Sequence, residues 1–260
     1  MSELLTEDAD GVRTFTLNRP ESFNSFTTSL KERLLAAVEE AAGDESVRAV
    51  VLTGAGRAFC AGQDLKEHVS LLQAGDPAPL RTVEQHYNPL IRAITGMPKP
   101  VIAAVNGTAA GAGASLAYAS DLRVVGESAK FLMAFANVGL SADSGASWTL
   151  PRLVGHGRAM EMMMLAQPVD AAEALRIGLV SQVVPDGEVV STAQALARKL
   201  ASGPTTAYAK IKEALGAAWG SLEQSLEVEA RTQAEAGATA DHREAVEAFV
   251  AKRPPRFTGR

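Results

Sequence analysis

The feature that most limits how this chain can fold is a series of short strand-like runs, several of them nearly continuous in apolar residues, each stopped by a turn signal. Val47-Arg-Ala-Val-Val-Leu-Thr53 stops at Gly54-Ala-Gly56, and Val101-Ile-Ala-Ala-Val105 stops at Asn106-Gly107. Val12-Arg-Thr-Phe-Thr-Leu17 ends at Asn18-Arg-Pro20, Leu122-Arg-Val-Val125 at Gly126, and Val180-Ser-Gln-Val-Val184 at Pro185-Asp-Gly187. A strand with one wet face alternates apolar and polar residues, whereas a strand covered on both faces is apolar throughout. The runs therefore predict a sheet packed between helices.

Helical patterns lie between them. Ser29-Leu-Lys-Glu32 reads as a capping box, opening a helix with Leu30, Leu34, Val38 and Ala41 on one face. Asp170-Ala-Ala-Glu173 and Asp241-His-Arg-Glu244 repeat that start signal. Strands alternating with helices give an α/β fold. Residues 73–80, which contain Gly75, Pro77 and Pro79, predict an exposed, mobile loop. After Pro204 no strand signal remains, and helices are predicted over 205–217, 221–236 and 241–252. The expected division is a core over 1–200 with the functional site and a helical assembly segment over 201–260.

A chain of 260 residues can bury one full core with an appendage. Its net charge of −5 lacks the basic face that nucleic acid or an anionic membrane needs. Cys60 is the single cysteine, so no intramolecular disulfide can form. No apolar run approaches the ~20 residues that span a bilayer, and the acidic start, Met-Ser-Glu-Leu-Leu-Thr-Glu-Asp, does not read as a signal peptide. A cytoplasmic protein is expected.

Three loops carry candidate chemistry. Phe59-Cys-Ala-Gly-Gln-Asp-Leu65 leaves a strand through small residues, which lets backbone N–H groups face a ligand; it equally suits a tight turn into a helix capped by Asp64. Gly107-Thr-Ala-Ala-Gly-Ala-Gly-Ala-Ser115 opens a helix whose first N–H groups are free, or merely packs that helix closely. Two donor-rich turns after two successive buried strands suit an oxyanion hole, which needs converging donors. Gly139-Leu-Ser-Ala-Asp143-Ser-Gly-Ala-Ser147 places one carboxylate in a small-residue loop, where capping and acid/base catalysis are equally compatible.

Competing motifs are missing. Neither a dinucleotide fingerprint nor a phosphate-binding loop is spelled, and no Gly-x-Ser-x-Gly elbow occurs. His68, His86, His156 and His242 pair with no other metal ligand in spacing and read as surface residues. Cys60 between Phe59 and Ala61 reads as a small packed residue.

Leu17-Asn-Arg-Pro20 with Asn24, Val50-Val-Leu-Thr-Gly54, Phe59–Leu65, Lys99-Pro-Val-Ile-Ala-Ala-Val-Asn-Gly107, Gly111-Ala-Gly-Ala114, Leu150-Pro-Arg-Leu-Val-Gly155 and Ala174-Leu-Arg-Ile-Gly-Leu-Val180 resemble the enoyl-CoA hydratase/isomerase (crotonase) superfamily over essentially the whole chain. The resemblance implies a spiral of ββα units with a C-terminal helical trimerisation segment, assembled as a homotrimer or a dimer of trimers. It implies an acyl-CoA thioester whose carbonyl oxygen binds two backbone N–H groups, by position those of Ala61 and Ala112. Substrate or CoA contacts are expected from Ser22, Phe23, Ser25, Gly62, Gln63, Asp64 and Leu65, with Phe249 and Lys252 from the tail. Hydratases of the family often carry a lysine after the Asn-Arg-Pro motif; Glu21 stands here, so Lys252 or Arg253 of a neighbouring subunit is the expected cation for the CoA phosphates. No metal or redox cofactor is implied, because CoA arrives with the substrate.

Within the superfamily, hydratases hold a water between two glutamates, and this chain has Ser115 and Phe135 at those positions. Isomerases place an acid on the loop that holds Asp143. Phe59–Leu65, Tyr87-Asn-Pro-Leu90, Phe131-Leu-Met-Ala-Phe135, Ser141-Ala-Asp-Ser-Gly145 and Phe249-Val-Ala-Lys-Arg-Pro-Pro-Arg-Phe-Thr-Gly259 resemble the subgroup of 1,2-epoxyphenylacetyl-CoA isomerases of phenylacetate degradation. The expected activity is therefore acyl-CoA isomerisation with Asp143 as acid/base. A Δ3,Δ2-enoyl-CoA isomerase would use the same parts, a hydratase would need a second acid such as Glu84, and an RNA-binding member of the superfamily would need a basic stripe that is missing.

Overall fold

The continuous apolar runs lie in the middle of a six-stranded sheet. The structure is a computed structural model describing residues 2–260. In chain order, a hairpin of β1 (Leu4–Ala9) and β2 (Val12–Leu17) leads into α1 (Thr28–Gly43). Then come β3 (Ala49–Gly54), β4 (Ala58–Cys60) and α2 (Leu65–Gln73), followed by a π-helical turn at Val83–Tyr87 that runs into α3 (Asn88–Thr95). The pattern repeats as β5 (Val101–Val105), β6 (Thr108–Ala110) and α4 (Ala112–Ala119). It repeats again as β7 (Leu122–Gly126), β8 (Lys130–Leu132), α5 (Ala146–Val154) and α6 (His156–Leu165). The short β9 (Val169–Asp170), α7 (Ala171–Arg176), β10 (Gln182–Val184) and α8 (Val189–Ala201) precede a tail of α9 (Thr205–Ala217), α10 (Leu222–Gly237) and α11 (Ala240–Val250).

The large sheet has the order β1-β2-β3-β5-β7-β10, and a second sheet has the order β4-β6-β8-β9. Each ββα unit thus gives one long strand to the first sheet and one short strand to the second. Apart from the antiparallel β1–β2 pair, the first sheet is parallel. Alternate residues of its central strands feed two cores. Val50, Leu52, Val101, Ala103 and Val105 pack on the side of Leu30, Leu34 and Val38 of α1. Ala49, Val51, Ile102 and Ala104 pack against Val189, Ala193, Ala197 and Ala201 of α8. These α8 positions recur every fourth residue, so small side chains lay one face of the helix on the sheet.

Two predicted start signals are corrected. The cap of α1 is Thr27, whose side chain accepts from the Leu30 N–H at 3.1 Å, rather than Ser29. The cap of α11 is Thr239; the carboxylate of Asp241 instead accepts from the Thr258 and Gly259 N–H groups, each at 2.7 Å, pinning the C-terminus. Asp170 does cap its helix, accepting from the Glu173 N–H. The segment 74–81, after α2, carries no helix or strand. No described helix is long and apolar enough to cross a membrane.

Candidate active site

The site forms where the second sheet hands its strands to α2 and α4. After β4 the chain passes Ala61 and Gly62 and makes a parallel bridge between Phe26 and Gln63. Phe26 donates to the Gly62 carbonyl at 2.7 Å and accepts from the Asp64 N–H at 3.0 Å. In such a bridge the partner bonds the residues on either side, so the N–H of Gln63 itself points away from Phe26. It finds no acceptor among the described residues. The N–H of Ala112, the first residue of α4, has none either, as expected of a helix N-terminus. Gly62 stands between the two: a Cβ there would lie 3.2 Å from the Ala112 nitrogen and 2.8 Å from the Ala110 carbonyl oxygen. Only glycine leaves that approach open, and its φ of +88° is one that glycine adopts freely.

One expected donor is corrected. The N–H of Ala61 donates to the Phe23 carbonyl at 2.9 Å, so it is consumed by the turn and cannot bind substrate. The pair that faces one cleft is Gln63 and Ala112.

That cleft encloses ≈ 700 Å³. Asp143 lines it, on the loop between β8 and α5. The capping alternative for the Asp143 side chain fails, because α5 starts at Ala146 with Gly145 as its cap residue and no side chain accepts from its first N–H groups. The carboxylate instead accepts from the Ser144 hydroxyl at 2.7 Å. Burial pushes the Asp143 carboxyl above the usual range, against the opposing pull of Ser144 and of Lys31. Ser144 at φ +52° and Gly145 at φ +72° turn the chain so that the carboxylate stays on the cleft side.

The other carboxylate expected at the site behaves differently. Asp64 accepts from Arg19 at 2.9 Å, from the Ser25 hydroxyl at 2.9 Å, and from the Lys66 and Glu67 N–H groups that it caps. Burial alone would raise its pKa, but these donors hold it below the usual range. Asp64 and Ser25 therefore border the cleft while spending their polar atoms on structure. Ser22, Phe23, Gly62, Gln63 and Leu65 also line it as expected. Phe249 and Lys252 do not line this chain's own cleft, and Phe249 is 85% exposed on α11. Arg253, the alternative cation, is tied to Glu244 by two bonds of 2.6 and 2.9 Å. Lys66, the second residue of α2, stands at the cleft instead; its place just past the Gln-Asp-Leu stretch was the available signal. His68, expected on the surface, also borders the cleft.

Ser115 and Phe135 bear on water addition. Ser115 is fully buried and its hydroxyl donates to the Gly111 carbonyl, while Phe135 lines the cleft as a hydrocarbon. Glu84 is exposed and does not line it. Cys60 is wholly buried, its thiol pushed up to about 12 by burial, so it is no nucleophile.

A polar cluster behind the cleft wall escaped the sequence reading. Lys31 is 1% exposed on α1 and donates to the Gln63 side-chain oxygen at 3.1 Å and to the Thr82 hydroxyl at 2.5 Å. The Tyr87 hydroxyl donates to the same Gln63 oxygen at 2.5 Å, and the Lys31 ammonium lies 4.8 Å from the Tyr87 ring centroid. Burial lowers the Lys31 pKa, opposed by Glu67, Asp143, Glu32 and Asp64. His86 completes the chain, 3.0 Å from the Thr82 hydroxyl. A lysine beside an apolar stripe gives no pattern that predicts its burial.

The family model described as enoyl-CoA hydratase/isomerase matches residues 7–260. The 1,2-epoxyphenylacetyl-CoA isomerase of Escherichia coli (strain K12) is 45% identical over 263 residues, covering 100% of both chains. A "Probable enoyl-CoA hydratase" of Rhodobacter capsulatus is 46% identical over 256 residues, 98% of this chain and 97% of the relative. The crystal structure of a "putative Enoyl-CoA hydratase/isomerase" from Mycobacterium abscessus superposes with a TM-score of 0.95 at 44% identity, covering 99% of this chain and 100% of that one.

Proposed function

The chain belongs to the enoyl-CoA hydratase/isomerase family, and from that premise we propose that it isomerises acyl-CoA thioesters, turning ring-1,2-epoxyphenylacetyl-CoA into oxepin-CoA in phenylacetate degradation. The observation that carries the reading is the combination in one cleft of two unpartnered N–H groups, Gln63 and Ala112, with one half-buried carboxylate, Asp143, which accepts from the Ser144 hydroxyl and pairs with no cation among the described residues. The thioester oxygen accepts from both N–H groups, which favour the negative charge it gains when the neighbouring carbon loses a proton. Asp143 takes up that proton and returns one after the electrons have moved, so nothing is gained or lost overall. Water addition needs a second acid, and the places where hydratases carry theirs are filled by a buried serine and a phenylalanine. The 45% identity to an isomerase of this substrate points the same way.

CoA enters as part of the substrate, and the reaction calls for no metal or redox group. Lys66 is the cation this chain offers at the cleft, and Lys252 with Phe249 of a neighbouring subunit completes the CoA contacts in a homotrimer or dimer of trimers.

An activity panel tests the reading. Ring-1,2-epoxyphenylacetyl-CoA is the substrate expected to turn over fastest, with a 3-enoyl-CoA isomerised more slowly and crotonyl-CoA hydrated poorly or not at all. Crotonyl-CoA hydration at ~10–10³ per second, the range of dedicated enzymes, would show a hydratase instead. Turnover of the 3-enoyl-CoA alone would restrict the protein to shifting double bonds in linear chains.

A further inference from the structure

Gln63 lines the cleft and carries a second polar group beside its unpartnered backbone N–H, the side-chain amide. Two donors from separate elements converge on the side-chain oxygen, Lys31 of α1 at 3.1 Å and Tyr87 of the π-helical turn at 2.5 Å. An amide oxygen has two lone pairs, and here both are taken. That fixes which way the amide faces, because a flipped amide would set its NH2 against an ammonium and a hydroxyl donor. The NH2 group has no acceptor among the described residues and is not sealed in the interior, so its hydrogens remain available on the cleft side. Much of the cleft lining is hydrocarbon, including Leu72, Leu80, Ala134, Phe135 and Val138.

We propose that the side-chain amide of Gln63, locked by Lys31 and Tyr87, recognises an oxygen atom on the acyl group and so selects oxygen-bearing aryl-acyl thioesters over plain hydrocarbon ones. The amide stands one side chain's reach from the backbone N–H of the same residue. An acyl group whose thioester oxygen sits on that N–H presents its next few atoms to the amide. A hydrocarbon acyl group leaves the NH2 donors desolvated and unpaired, which is the costly arrangement, whereas an ether, epoxide or hydroxyl oxygen accepts from them. Lys31 and Tyr87 are positioning residues in this scheme, since they act through Gln63.

The inference rests on the acyl-CoA reading of the cleft, and its test separates the two. Phenylacetyl-CoA and its ring-ortho hydroxyl derivative differ by one oxygen, and calorimetric titration gives the affinity of each. The wild-type protein is expected to bind the hydroxylated ester roughly 3- to 10-fold more tightly, the span of one neutral hydrogen bond. Gln63→Leu keeps the backbone N–H and the bulk but removes the amide, and the preference should fall to about one. Lys31→Met and Tyr87→Phe each free the amide to turn, and each should shrink the preference while both esters still bind; a purely structural role would weaken both esters alike. An undiminished preference in Gln63→Leu, or none in the wild type, overturns the proposal and leaves the acyl-CoA reading standing. Failure of both esters to bind the wild type overturns that reading and the proposal together.

Discussion

Asp143 carries a carboxyl group that burial makes reluctant to ionise, and this has separate consequences for activity and for stability. As a base it must be ionised, so kcat/KM should fall on the acid side through a pKa above the ordinary aspartate value of about 3.9. For stability the sign is reversed from the usual paired aspartate. The folded protein holds the proton to a higher pH than the unfolded chain does, so stability decreases as pH rises through the window between the two pKa values. Asp143→Asn removes the charge and keeps the shape. Its kcat should drop by ~10²-fold or more, while its melting temperature at neutral pH equals or exceeds that of the parent. The difference should vanish as pH is lowered and the parent aspartate takes up its proton. Calorimetry and kinetics across pH check both halves; full activity in Asp143→Asn would remove the catalytic role.

At the scale of elements, the donor pair depends on how closely α4 lies against β4. A Cβ built on Gly113, the second residue of α4, would sit 2.2 Å from the Cys60 carbonyl oxygen, a clash only a shift of the helix can relieve. Gly113→Ala should therefore destabilise the fold by about 1–3 kcal/mol, as overpacking does, and should lower kcat by moving the Ala112 N–H. Gly157, exposed in the first turn of α6 with nothing within 4 Å, serves as control. Alanine there should be neutral or stabilising by up to about 1 kcal/mol. Denaturant midpoints and turnover for the two variants test the contrast. The long strands β3 and β5 were legible in the sequence because burial on both faces makes them continuous apolar runs. The three-residue strands β4, β6 and β8 were not, because a run that short has no measurable period. The same limit explains the exchange of Ala61 for Gln63. Which of several consecutive N–H groups points into the cleft is decided by the bridge to Phe26, a contact between distant residues. Asp143 stood out because a lone carboxylate in a small-residue loop is conspicuous, whereas Lys31 was hidden by the expectation that lysines face water.

The whole molecule ends in three helices whose apolar side chains find little cover within the chain. Ile211, Leu215, Trp219, Leu222, Leu226, Phe249 and Val250 are all more than half exposed, while α9 fully buries only Thr205 and α10 only Thr232. The tail is nonetheless held to its own core. Lys212 of α9 pairs with Asp121 at 2.7 Å, Arg48 donates to the Thr205 hydroxyl, and Arg260 pairs with Glu45 at 2.7 Å. A tail that is fastened in place yet leaves this much hydrocarbon in water supports the proposal that it meets other subunits, since exposed apolar surface on this scale marks an association site. The expected state is a trimer or a hexamer, read in sedimentation equilibrium as three or six times the 27.2 kDa chain mass. Leu215→Glu with Leu226→Glu places charges on α9 and α10 without touching the Asp121–Lys212 pair. That variant should sediment as a smaller species and lose turnover, because Lys252 and Phe249 would no longer reach a neighbour's cleft. A fully active monomer, from either the parent or the variant, would show that each cleft works alone and that the tail serves another purpose.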